Sequence, residues 1–259
     1  NALMNIAFSN AYAITGDDQY RQQAEKNLQF LLTAFKTDHG MLHHTWKNGK
    51  ASQPGFLDDY SYLVAALIEF AQVSGDHSYL QTASELTELV LEHFSDEASP
   101  FFFFTHHEQK DIPVRKKEIY DGATPSGNAV MAMNLYKLSI LHDKAEWRER
   151  SEAMVRALGE VPAKYPTSFG MWVRLLFEMI SGTSEVAIVG KNWKNELGNL
   201  LRVFMPHKLV QASATADKSY PLLADKQPGD PVLIYLCKNY ACQKPVSTLA
   251  EFVSLLRAK

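Results

Sequence analysis

Asp58 and Asp59 stand side by side at the head of an apolar stretch, and Asp121 precedes a second such stretch in the turn Tyr120-Asp121-Gly122. Paired carboxylates suit work on glycosidic bonds, because one protonates the leaving oxygen while the other attacks or activates water. Adjacent helical residues point about 100° apart, so one of Asp58 and Asp59 can cap its helix while the other faces a cavity. A structural role competes with this chemistry. Asp58, Asp59 and Ser126 are of the types that satisfy free N–H groups at helix N-termini, and Asp121 is of the type that bonds its own turn. His43 and His44 lie on a strand-like piece, so alternation turns one of them inward. An inward His43 would be placed to take up and return a proton as a general base.

Around these candidates lie residues suited to ligand contact. Trp46, Tyr60, Tyr62 and the run Phe101 to Phe104 offer stacking faces, with core packing as the alternative. Ser126 and Asn128 offer polar partners, and Arg115 would pair with a carboxylate or phosphate on a ligand. Cys237 and Cys242, with four residues between them, lack the C-x-x-C spacing of a thioredoxin-type pair. Reduced thiols are the default there, with a disulfide or exchanging pair as the redox alternative. His39-x3-His43 and His106-His107 lack a third ligand at suitable spacing, so no metal and no other cofactor is expected.

The elements that carry these residues repeat. Residues 1–15 carry apolar residues spaced for one helical face, 57–73 is nearly all apolar and 126–141 repeats the pattern, and each is followed by a turn and an amphipathic partner over about 19–36, 79–94 and 147–158. The turn aromatics Tyr20, Tyr79 and Trp147 recur at spacings of 59 and 68 residues, which marks an internal repeat of helical hairpins. Inner helices that must be covered on both sides, with outer helices wet on one side, make two concentric layers. Asn1, Asp59 and Asn128 lie 19 or 20 residues before the aligned aromatics, so they gather at one mouth of the ring. Long links over 37–56 and 95–125 carry strand-like pieces to that end.

After a helix over about 168–180 the period changes, giving strands at 185–189, 208–212 and 232–236 and helices at 192–204 and 248–258. The expected division is a helical-hairpin region over 1–182, beginning inside a helix as an N-terminally truncated fragment would, and an α/β appendage over 183–259 packed on it.

Composition excludes several classes. The 259 residues include 26 Lys+Arg and 29 Asp+Glu, for a net charge of -3, and only 2 Cys. No basic window offers a footprint for nucleic acid or an anionic membrane. No stretch of 18 apolar residues predicts a transmembrane helix, and no signal peptide is visible, so a cytoplasmic location is expected.

Three motifs carry a resemblance over essentially the whole chain: Gly55-Phe56-Leu57-Asp58-Asp59-Tyr60, Tyr120-Asp121-Gly122-Ala123-Thr124-Pro125-Ser126-Gly127-Asn128, and Cys237 to Val246. In this order they resemble the YyaL family of spermatogenesis-associated, thioredoxin-domain-containing proteins. The resemblance implies an (α/α)6 six-hairpin toroid like that of N-acylglucosamine 2-epimerases and several glycosidases, so this mainly α chain would hold part of that ring. It also implies a thioredoxin-like domain that this chain lacks and with which the cysteines could exchange. Two function classes follow: a carbohydrate-active site of epimerase, isomerase or hydrolase type, or a non-catalytic ligand-binding or interaction scaffold for that domain.

Overall fold

The computed structural model describes residues 1–109 and 111–257. Its first 181 residues are helical hairpins. α1 (Ala2–Thr15) returns along α2 (Asp18–Ala34), and a hairpin of β1 (His43–Lys47) and β2 (Lys50–Pro54) leads to α3 (Leu57–Ser74) and α4 (Ser78–Phe94). A short pair, β3 (Ser95–Asp96) and β4 (Ser99–Phe102), opens the long link to α5 (Gly127–His142) and α6 (Ala145–Ala157). A single turn, α7 (Val161–Lys164), precedes α8 (Gly170–Ser181).

Burial explains the layering. All of α5 from Gly127 to Leu141 is buried, whereas α2 buries only Ala24, Leu28 and Leu31. α1, α3, α5 and α8 form the inner wall in that order, and α2, α4 and α6 back their partners from outside. Buried polar side chains tie the layers, with Asn5 Nδ2 donating to Ala24 O (2.7 Å) and Ser151 Oγ to Ala132 O (2.7 Å), and Asn134 Nδ2 joins two inner helices by donating to Ser61 O (2.8 Å). The fold is mainly α, an arc of an (α/α)6 toroid.

Three of the four inner helices, α1, α3 and α5, end on a left-handed residue, Gly16 (φ 71°), Gly75 (φ 71°) and Asp143 (φ 53°). The third turn therefore uses Asp143 where the first two use glycine. Aspartate tolerates that backbone because its short polar side chain can bond locally.

The remaining residues form a sheet in the order β6-β5-β7-β8. β5 (Ser184–Val189) runs parallel to β6 (Lys208–Ser213) through α9 (Trp193–Leu201), and antiparallel to β7 (Leu233–Lys238), which pairs with β8 (Ala241–Cys242). α10 (Leu249–Arg257) closes the chain. The sheet shares one hydrophobic core with the hairpins, from Leu28 to Phe252. Gln72 Oε1 on α3 accepts from Val210 N (3.0 Å), and Tyr240 Oη donates to Ile140 O (2.9 Å) at the end of α5. Three strands are absent from the sequence reading: β2, β3 and β8 are short and lack apolar alternation. Among the described residues no helix is long and apolar enough to cross a membrane.

Candidate functional site

The N-termini of α1 and α3 open toward β1, and a cavity of about 450 Å³ lies between them and the end of α2. Trp46, Phe30, Phe35, His43, His44, Asp59 and Tyr62 are among its lining. Asp59 does two things at once. Its Oδ2 accepts the Phe56 N–H at 2.8 Å, which caps α3, and it lies 2.9 Å from His44 Nδ1. Burial pushes the Asp59 carboxyl upward, against the hydrogen bonds from Phe56 and His44.

His44 is held from behind. Its ring packs on Phe56 (4.8 Å between centroids), and Phe56 stacks on Phe104 (4.7 Å, 17°). With Nδ1 donating to the Asp59 carboxylate, Nε2 keeps its lone pair for a proton. Trp46 is 40% exposed and is braced edge-on by Phe30 at 5.7 Å. Such a ring offers a face on which an apolar sugar face can stack.

Asp58 turns elsewhere. It accepts the Gly127 N–H at the start of α5, and burial, with Glu118 and then Asp59 nearby, raises its carboxyl from the usual value to about 6. Gly127 makes this approach possible, since a Cβ there would sit 2.3 Å from Asp58 Oδ1. Tyr62 links this mouth to a deeper space of about 220 Å³ bounded by α1, α3, α5 and α8. Lys137 and Glu69 pair in it at 2.6 Å. Burial alone would raise Glu69, but Lys137, with Arg174 and Lys208, holds it below the usual range.

Several sequence candidates have structural work instead. His43 rests its Nδ1 near Gln53 O (3.3 Å), and it is His44 that meets a carboxylate. Both Asp121 oxygens are taken by backbone, Oδ1 by Ser126 N (2.9 Å) and Oδ2 by Met171 N (2.8 Å). Ser126 caps α5, its Oγ accepting from Ala129 N (3.1 Å). Asn128 is wholly buried, its Oδ1 accepting Phe102 N (2.8 Å) and its Nδ2 donating to Phe102 O (2.9 Å) and Glu118 O (3.0 Å). Tyr60 is also wholly buried. Its hydroxyl accepts Leu42 N–H at 2.8 Å, and burial pushes it up to about 12.

Arg115 lies outside the mouth, donating to Thr105 O (2.7 Å) and covering the Phe103 ring at 3.9 Å. Cys237 and Cys242 face each other across the β7–β8 turn as a disulfide, not as reduced thiols. The antiparallel register makes them direct partners, a pairing that linear spacing alone does not reveal. Glu69, Lys137 and Arg174 were missed by sequence reasoning, because nothing in a linear pattern marks which face of an inner helix sees the lumen, and Glu118 was missed because it lies in the irregular link before α5.

The N-acylglucosamine 2-epimerase (GlcNAc 2-epimerase) family profile matches residues 1–159. The chain belongs to that family. Among family-related proteins, the rat spermatogenesis-associated protein 20 is 27% identical, and its human counterpart 26%, each over 99% of this chain and 35% of its own length. The chain thus spans about a third of those curated relatives, whose kinship supports the family resemblance read from the three motifs. A glycoside hydrolase family 76 mannosidase from Bacteroides thetaiotaomicron is 13% identical, with a TM-score of 0.50 over 61% of this chain and 42% of its own. At that identity, an epimerase-family chain and a hydrolase share a fold and no more.

Proposed function

We propose that this chain carries the sugar site of a carbohydrate-active protein, and that its chemistry is proton transfer at a sugar carbon of the epimerase or isomerase kind. The observation that carries this reading is the His44–Asp59 pair in an aromatic-lined cavity. Asp59 orients His44 through its Nδ1, which leaves Nε2 as the base that takes and returns a proton next to a carbonyl. Tyr62 stands on the same wall, its hydroxyl donating to Pro125 O and keeping a lone pair to accept from a ligand, and Trp46 provides the stacking face.

A hydrolase needs two carboxylates free to flank the scissile bond. Asp121 has both oxygens occupied by backbone N–H groups and Asp58 is drawn to α5, so the paired-carboxylate chemistry is less well supported than the histidine route.

The test is proton wash-out. Free aldoses, ketoses and N-acylhexosamines are incubated with the protein in D2O and followed by NMR. Exchange of the proton alpha to the carbonyl is expected for at least one sugar, and His44→Ala should abolish it while the protein stays folded, with a melting temperature lowered by only a few degrees, since the ring is exposed and its loss removes one hydrogen bond and one ring contact. Exchange that survives His44→Ala, or no exchange and no binding with any sugar, overturns the reading.

A further inference from the structure

His93, in the last turn of α4, and His106 and His107, in the link after β4, converge away from the mouth. Each offers one nitrogen, and the three lie within 4.8 Å of one another. The ring centroids are 4.5, 4.8 and 5.1 Å apart. Sequence spacing considered only the adjacent pair His106-His107; the third imidazole comes from a different element.

One ring has a nitrogen with no hydrogen-bond partner, and the hydrogen bond of another leaves its second nitrogen a lone pair for a ligand. His93 Nδ1 is buried without a hydrogen-bond partner, while its Nε2 faces Glu92 at 3.8 Å. His107 Nδ1 lies 3.2 Å from the His93 carbonyl, and donating there leaves Nε2 as an acceptor. Imidazoles that bind metals are oriented this way, with the other ring nitrogen donating to a carboxylate or carbonyl. His106 Nδ1 accepts the Glu108 N–H at 3.0 Å, a bond that it must exchange for the metal.

We propose that His93, His106 and His107 form a binding site for a borderline divalent transition metal of the zinc type. Imidazole donors favour such ions over calcium or magnesium, which take oxygen ligands. Zinc–nitrogen bonds of about 2.0–2.1 Å in a tetrahedron set nitrogens about 3.4 Å apart, so the rings, stacked here at 15–27° to one another, must rotate out of the stack as well as close by an ångström or so on binding. His107 is exposed and can move. The adjoining cavity of about 420 Å³ is lined by Glu92, Asp96 and Glu97 against Arg115, so carboxylates or solvent are at hand for the fourth position. The site clamps the end of α4 to the link that follows β4.

Titration of the protein with Co2+, read by visible absorption, tests this. One equivalent should give the intense bands of tetrahedral cobalt, and Zn2+ should displace it and raise the melting temperature. His107→Ala, which removes an exposed ring and so spares the fold, should weaken binding by more than roughly tenfold, as should His93→Ala, while His39→Ala should not. A weak octahedral spectrum alone, or tight binding that survives His93→Ala combined with His107→Ala, overturns the proposal.

Discussion

Replacing Asn128 with alanine separates a structural from a ligand-binding role at the toroid mouth. The side chain is wholly buried and makes three hydrogen bonds, one accepted from Phe102 N and two donated to the carbonyls of Phe102 and Glu118. Alanine removes all three and leaves a buried N–H and two carbonyls without partners. Each stranded group costs about 1–3 kcal/mol, the carbonyls least because they have a second lone pair. The variant should therefore lose about 3 kcal/mol, of the size seen when a buried polar network is broken. For a chain of this length that is roughly 6–12 °C of melting temperature, at about 2–4 °C per kcal/mol. The assay is thermal unfolding followed by circular dichroism, with urea midpoints as a check. A variant that melts within a degree or so of the parent would refute the reasoning and return Asn128 to the role of ligand partner.

Two further outcomes follow from the same geometry. Asp58 has a folded carboxyl raised to about 6 from the model-peptide value of 3.8, so the folded state holds its proton longer than the unfolded one. Its contribution to stability is present below pH about 4 and is lost as the pH rises through about 6. Asp58→Asn, which can still accept from Gly127 N, should therefore stabilise the protein at pH 7.5 and confer no gain at pH 3.5; an equal effect at both pH values would contradict it. Reducing the Cys237–Cys242 disulfide opens a short loop, whose closure entropy is worth about 2 kcal/mol in the chain-entropy model. Urea midpoints with and without dithiothreitol should differ accordingly, and two titratable thiols in the unreduced native protein would show that the bridge is absent.

The helical hairpins were legible because burial imposes its period on the sequence. α5 cannot be buried from Gly127 to Leu141 without an almost continuous apolar run, and α2 cannot be wet on one face without an amphipathic one. β2 carries Lys50, Ser52 and Gln53, with neither face committed to the core, so nothing in its residues distinguishes it from a loop. Of the residues singled out by aligned helix starts and by residue type, Asn1, Asp59, His43 and Trp46 line the cavity, whereas Asp121, Ser126 and Asn128 are held by backbone, because the same residue types serve as caps, clamps and ligands.

His44 and Asp58 show where linear reasoning stops. Strand alternation says that His43 and His44 point apart, but only the packing of β1 against α3 decides which ring reaches Asp59. Phe56 and Phe104 make that decision by filling the space behind His44. At the aspartate pair the deciding residue is Gly127, on another helix and with no side chain at all. Any Cβ there would meet Asp58 Oδ1 at 2.3 Å and drive Asp58 from the α5 N-terminus, where an N–H and the helix dipole favour the carboxylate. Burial and Glu118 still hold its carboxyl near 6, so desolvation outweighs the helix end. Asp59 is left as the carboxylate that both caps α3 and serves the cavity, which is how a fold-stabilising residue comes to stand beside the histidine that needs it.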